Sequence, residues 1–140
     1  MKKVLITLDD GAAAEKIATA GFELGKQLNA EIAILSVVDP TFLSTGGNIT
    51  PKQMEEIVRD DFKKTQQKLI DKVFQDYSVT TFVEIGNPYE EILKKAEEWN
   101  ADLIVLGTHG RTGLTHLLMG SVAEKVIRHS NKPLYVIPMK

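Results

Sequence analysis

The chain contains no cysteine. Disulfides and thiol chemistry are thereby excluded, and any zinc site would have to be built from histidines and carboxylates. No apolar run approaches the length needed to span a bilayer, and the opening MKKVLITLDDGAAAEK reaches acidic residues too early for a secretion signal. A cytoplasmic protein without a membrane partner is expected. Two familiar phosphate loops are missing as well: there is no G-x-x-x-x-G-K-[ST], and the first strand runs into LDDGAA rather than G-x-G-x-x-G. A dominant charge is also lacking. The formal net charge of -2 gives no general pull toward nucleic acid, and no basic stripe suggests DNA as a partner.

What the 140 residues do contain is enough apolar sequence for one core, and the expectation is a single domain over 1–140. With 43% hydrophobic and 26% charged residues, the composition is that of a soluble globular protein. Charge is unevenly placed. From 107 onward five basic residues (Arg111, Lys125, Arg128, Lys132, Lys140) stand against one acid, Glu124, and all three histidines (His109, His116, His129) lie in the same stretch. A polyanionic partner for this end and simple complementation of a helix dipole are both consistent with that pattern.

Strand and helix patterns alternate along the chain. KVLITL (3–8), EIAILSVVD (31–39), VTTFVEIG (79–86), ADLIVLG (101–107) and PLYVIPM (133–139) read as strands. The continuous apolar run in the second suits a parallel strand covered on both faces. Between them, Ile17, Ala20, Phe22, Leu24 and Leu28 outline a first helix, and Met54, Ile57, Val58, Phe62, Leu69, Val73 and Phe74 a long amphipathic one from 51 to about 77. Pro51 fits its first turn. Asn87 caps a third helix with Pro88 at its first position, and SVAEKVIRHS (121–130) forms a fourth. No internal repeat is evident. The order β-α-β-α-β-α-β-α-β predicts an α/β fold, an open doubly wound parallel sheet with helices on both faces. Such sheets bind ligands at the carboxyl ends of their strands where strand order reverses, so the candidate loops are 9–12, 38–51, 86–88 and 107–120.

The last of these loops, GTHGRTGLTHLLMGS, sets Gly107, Gly110, Gly120 and Ser121 at fixed offsets between a strand and a helix. Residues without a Cβ let a ligand approach the main chain closely, and the first amides of a helix form an anion site. Gly107 and Gly110 would shape an amide-lined turn, while Gly120, Ser121 and Val122 supply helix-start donors. His109 and Arg111 would reach the same phosphate chain. The plainer alternative is that Gly107 ends a strand, Gly110 and Gly113 shape a turn, and Ser121 caps a helix.

The stretch GTHGRTGLTHLLMGSVAEKVIRHSNKPLYVIP resembles the C-terminal signature of the universal stress protein (UspA-like) family in its ATP-binding branch, G-x2-G-x9-G-[ST]. KKVLITLDD, ILSVVD and GNPYEEI extend the resemblance over essentially the whole chain. It implies a five-stranded, Rossmann-like sheet of the adenine nucleotide alpha hydrolase-like type, a homodimer, and an adenine nucleotide (ATP, ADP or AMP) whose phosphates sit on Gly107, Gly110, Gly120 and Ser121. It further implies that Asp9 contacts the ribose end and that the main chain of Val37 meets the adenine. Members of the family commonly read Asp-Gly-Ser after the first strand, whereas this chain reads Asp9-Asp10-Gly11, so Asp10 is the alternative to Asp9 and one serine contact is missing. Apart from the family, the two aspartates are ligand contacts or turn formers.

Hydrolysis would need a positioned base and groups to steady the transferring phosphoryl. Asp9, Asp10, His109 and Arg111 are available, but no catalytic spacing singles them out. His116 and His129 read as surface residues. The histidines lack metal-ligand spacing, and magnesium would arrive on the phosphates. The expectation is a nucleotide-binding signalling protein that reports stress or energy state to an unidentified protein partner, with at most slow ATP hydrolysis. An adenine-nucleotide hydrolase or transferase on the same fold, and a dimeric interaction module without nucleotide, are the alternatives. The last strand, LYVIPM, would present unpaired amides at a sheet edge that a second copy could cover, or that Pro138 could blunt. The loop FLSTGGNIT would close over the nucleotide or act as a plain linker.

Overall fold

In the computed structural model, which describes residues 2–9, 11–42, 47–109 and 119–139, the five apolar runs form strands β1 (Lys3–Thr7), β2 (Glu31–Val38), β3 (Val79–Ile85), β4 (Leu103–Gly107) and β5 (Leu134–Ile137). Among the described residues they alternate with four α-helices: α1 (Ala14–Gln27), α2 (Pro51–Leu69), α3 (Pro88–Glu98) and α4 (Ser121–His129). All pairings are parallel and the strand order is β3-β2-β1-β4-β5. This is the open doubly wound, Rossmann-like sheet expected from the alternation. Because successive side chains point to opposite faces, each strand feeds two cores. Val4, Ile6, Ile32, Ile34 and Val105 pack beneath α1 and the end of α2, while Leu5, Ala33, Leu35, Ile104 and Leu106 pack beneath α3 and α4. No helix among the described residues is long and apolar enough to cross a membrane.

Two helices differ in detail from the periodicity. The buried face of α1 is Ala14, Ile17, Ala18, Gly21 and Gly25, whereas Phe22 and Leu24 are half-buried and Leu28 is 43% exposed. The cause is close approach. A Cβ on Gly21 would lie 2.7 Å from Ile6 Cδ1, and one on Gly25 2.6 Å from Ile32 Cδ1, so only side-chain-free positions admit the isoleucines of the sheet. The long helix widens its count after Leu69: residues Ile70–Phe74 form a π-helical turn, closed by Gln75 N donating to Ile70 O at 3.0 Å. That turn still buries Phe74 completely, against Phe22. Ile57, assigned to the buried stripe by spacing, is 48% exposed.

Although no long repeat exists, one short device occurs twice. Leu28-Asn29-Ala30 after α1 and Trp99-Asn100-Ala101 after α3 each place an asparagine at positive φ (53° and 60°) and return the next alanine's N–H to the helix, Ala30 to Gly25 O and Ala101 to Ala96 O. Each exit then hydrogen-bonds the start of β1, Glu31 N to Lys2 O and Asp102 N to Lys3 O, both at 2.8 Å. The amino end of the sheet is thus pinned on either side of its central strand. At the outer edge of the sheet, Arg59 of α2 donates from Nη1 to Val83 O, closing part of β3. The opposite edge, β5, has no neighbouring strand beyond it among the described residues.

Candidate functional site

The chain steps outward from β1 to β2 and β3, then returns to the other side of β1 with β4. The reversal therefore lies between β1 and β4, and their carboxyl ends open a crevice between α1 on one face and α4 on the other. Into this region the fold brings Asp9, which follows β1, together with Gly107, Thr108 and His109 at the end of β4 and Gly120, Ser121 and Val122 at the start of α4. Gly120 N donates to Thr108 O at 2.7 Å, joining residues twelve apart in sequence. Asp9 Oδ1 accepts from Gly11 N at 2.9 Å, so this aspartate shapes the turn into α1 whatever else it does. Val37 lies beyond the last paired residues of β1 and β2, Thr7 and Leu35. Leu35 O accepts from Leu8 N. By the alternation of a parallel ladder, the main-chain groups of Val37, two residues on, face the same side at the crevice.

The two described glycines of the motif owe their identity to different neighbours. A Cβ on Gly107 would stand 2.7 Å from Ile17 Cδ1 and 3.3 Å from Met139 Cγ, so this position is small because α1 and the C-terminal segment close on it. Packing alone is a sufficient reason for a glycine here. A Cβ on Gly120 would meet Thr108 O at 3.4 Å and His109 Cα at 3.5 Å, an ordinary contact. Its significance is what a glycine cannot do as an N-cap.

Helices α2 and α3, which start away from the reversal, are capped by their own side chains. Thr50 Oγ1 accepts from Gln53 N while Gln53 Oε1 accepts from Thr50 N, a reciprocal box, and Asn87 Oδ1 accepts from Glu90 N. At the reversal the arrangement changes. The N-cap residues are Ala13 for α1 and Gly120 for α4, and neither makes a side-chain cap. The first amides of α4, from exposed Ser121 and Val122 onward, have no intrahelical acceptors. They carry the partial positive charge of the helix start.

Thr108 is the residue that sequence spacing missed. Its N donates to Ile137 O (3.0 Å), its Oγ1 accepts from Met139 N (3.0 Å) and lies 3.1 Å from His109 Nδ1, and its carbonyl receives Gly120 N. No periodicity marks it, because its partners come from β5 and α4. Asp10, Gly110, Arg111 and His116 lie outside the described residues, as do residues 43–46 of the loop between β2 and α2.

Elsewhere the basic C-terminal region is engaged within the molecule. Arg128 pairs with Glu124, Lys132 with Glu97 at 3.7 Å, Lys125 lies over the Tyr89 ring, and His129 stacks on that ring at 5.6 Å. Carboxylate pairing accounts for Arg128 and Lys132, and the Tyr89 ring for Lys125. Two clefts, of about 370 Å³ beside Lys94 and Lys132 and about 500 Å³ beside Ile49 and Ile57, lie away from the strand reversal. Among the described residues no three histidine or carboxylate side chains gather as a metal site.

Comparison with known proteins gives a consistent picture. Residues 1–138 match the model of the universal stress protein family. The universal stress protein MJ0577 of Methanocaldococcus jannaschii is 33% identical over 156 residues, covering 99% of this chain and 96% of that protein. The solved structure of MJ0577 superposes with a TM-score of 0.83 at 28% identity, covering 99% and 96% of the two chains. Two more distant structures share the fold: a universal stress protein in complex with cAMP (TM-score 0.70, 18% identity, 98% and 96% covered) and one from Archaeoglobus fulgidus in complex with dAMP (0.64, 22%, 100% and 98%).

Proposed function

Since the chain belongs to the universal stress protein family, we propose that it acts as one domain over 1–140 that binds an adenine nucleotide, ATP foremost, at the reversal between β1 and β4. The observation that carries this reading is the start of α4: a helix opening at the strand reversal on a glycine cap, with exposed Ser121 and Val122 leading it. Phosphate oxygens only accept hydrogen bonds, and this helix start presents only donors and a hydroxyl. Gly107, His109, Gly110, Arg111, Gly120, Ser121 and Val122 would hold the phosphates, Asp9 the ribose end, and the main chain of Val37 the adenine. Magnesium would travel with the phosphates. The cAMP and dAMP complexes of more distant relatives support an adenine nucleotide as the ligand class.

In this reading the bound and empty states differ at the carboxyl edge of the sheet, and a protein partner reads that difference. A second copy joins along β5, where Tyr135 is 42% exposed. Pro138 follows the strand rather than lying within it.

Ser121→Asp tests the site without threatening the fold. A carboxylate at the first turn complements the helix dipole, worth about 0.3–1 kcal/mol, yet it repels phosphate. Calorimetric titration with ATP should show affinity falling at least about tenfold, with thermal stability held or raised. Unchanged affinity in this variant would overturn the reading. Mass analysis of the purified protein identifies the resident nucleotide, and rapid phosphate release over many turnovers would favour a hydrolase over a binder.

A further inference from the structure

We propose that Gln66 is the positioning residue of the adenine end of the site: from the buried face of α2 it holds the tip of β2, where the Val37 carbonyl tells adenine from guanine. The inference rests on the nucleotide reading above. Among the described residues, the polar side chains buried in the core are Ser36 (2% exposed) and Gln66 (3%), and they meet. Gln66 Nε2 donates to Phe82 O at 2.9 Å and to Ser36 Oγ at 3.1 Å. A carbonyl can only accept, which fixes the orientation of the amide, and its nitrogen gives the second proton to the serine. Apolar side chains of the same shape would fill this space as stably. What the polar pair adds is direction.

It acts where the sheet gives least support. The β1–β2 ladder ends at Thr7 and Leu35, whereas the β2–β3 ladder runs on to Val38 and Ile85. Ser36, Val37 and Val38 therefore have a strand on one side and the crevice on the other. Gly86 N donates to Val38 O, so Val38 and Ser36 turn their main-chain groups toward β3 and Val37 turns its own toward the crevice. A single amide nitrogen grips both strands at this point, Phe82 O on β3 and Ser36 on β2. Adenine presents an amino donor where guanine presents a carbonyl acceptor. A Val37 carbonyl held in one place accepts from the first and repels the second; a loosely held one distinguishes them less well.

The test compares the full-length wild type with Gln66→Met, with the double variant Ser36→Ala/Gln66→Met, and with Arg59→Met. Urea midpoints, calorimetric affinities for ATP, GTP and inorganic tripolyphosphate, and amide exchange of the ligand-free protein are read on each. Gln66→Met strands the Ser36 hydroxyl and should lower the midpoint; adding Ser36→Ala removes the orphan and should recover most of the loss. Despite that recovery, the double variant should bind ATP roughly five- to tenfold more weakly with tripolyphosphate affinity held within about twofold, so the preference for ATP over GTP shrinks. Its Ser36 and Val38 amides should exchange several-fold faster relative to Ile34, earlier in the same strand. Arg59→Met frees α2 from Val83 O on the outer side of β3, and should lower the midpoint with the preference intact. A double variant that keeps the wild-type preference or the wild-type exchange overturns the proposal, as does an Arg59→Met variant that loses as much preference, or a wild type that binds ATP and GTP equally. Should wild type bind neither nucleotide, the functional reading falls, while the exchange measurement still decides whether Gln66 holds the tip of β2.

Discussion

Helices α2 and α3 begin on side chains that satisfy their own first amides, whereas α1 and α4 begin without such caps. The four starts lie at the same carboxyl edge of one parallel sheet, so the difference follows position along that edge rather than layer or burial. The capped pair follow β2 and β3, at one side; the uncapped pair follow β1 and β4, on either side of the strand reversal. A helix start costs stability if its donors go unmet, and a threonine or asparagine cap is worth about 1 kcal/mol. Stability alone would favour a cap at all four places. Glycine at the head of α4 is understandable if the acceptors for its donors come from outside the chain.

The contrast can be broken at several points. The largest change is expected where a motif glycine serves packing: Gly107→Val drives a side chain into Ile17 and should lower unfolding stability by about 1–3 kcal/mol, read by urea titration. Shortening Ile17 in the same chain should recover part of that loss. Next comes Thr50→Ala, which removes a complete capping box and should cost about 1 kcal/mol while leaving ATP affinity alone. A change in affinity there would mean that the capped starts share in binding. Asn87→Ala should behave alike with a smaller loss, about 0.5 kcal/mol, since its bond to Glu90 N is 3.4 Å long. The finest probe runs the other way. Gly120→Ser gives α4 the cap it lacks, in a place where a Cβ makes only ordinary contact. Stability should rise by a few tenths of a kcal/mol and ATP affinity should fall, because the new hydroxyl competes for the same amides.

Much of the scaffold was legible in the residues. The apolar runs of β2 and β4 read as covered strands, and Asn87-Pro88 marked the head of α3, as the hydrogen bond to Glu90 N bears out. The face of α1 was misread because hydrophobicity favours Phe22, Leu24 and Leu28, while close packing against Ile6 and Ile32 selects glycines. The π-helical turn at Ile70–Phe74 was not legible, since Leu69, Val73 and Phe74 fit an ordinary helix as well. Thr50-Pro51-Lys52-Gln53 did spell a capping box, a signal present in the sequence but not used. At the candidate site, spacing pointed to the reversal and to Gly120-Ser121. It could not point to Thr108, whose hydroxyl meets a main-chain nitrogen thirty-one residues away.

Arg59 on the carbonyl of Val83 bears on assembly. With a guanidinium seated on it, that carbonyl of β3 is closed to an added strand, whereas β5 has no neighbouring strand beyond it among the described residues. Any pairing along β5 by a two-fold axis would then use up the less obstructed margin of both molecules and give a closed pair through that edge.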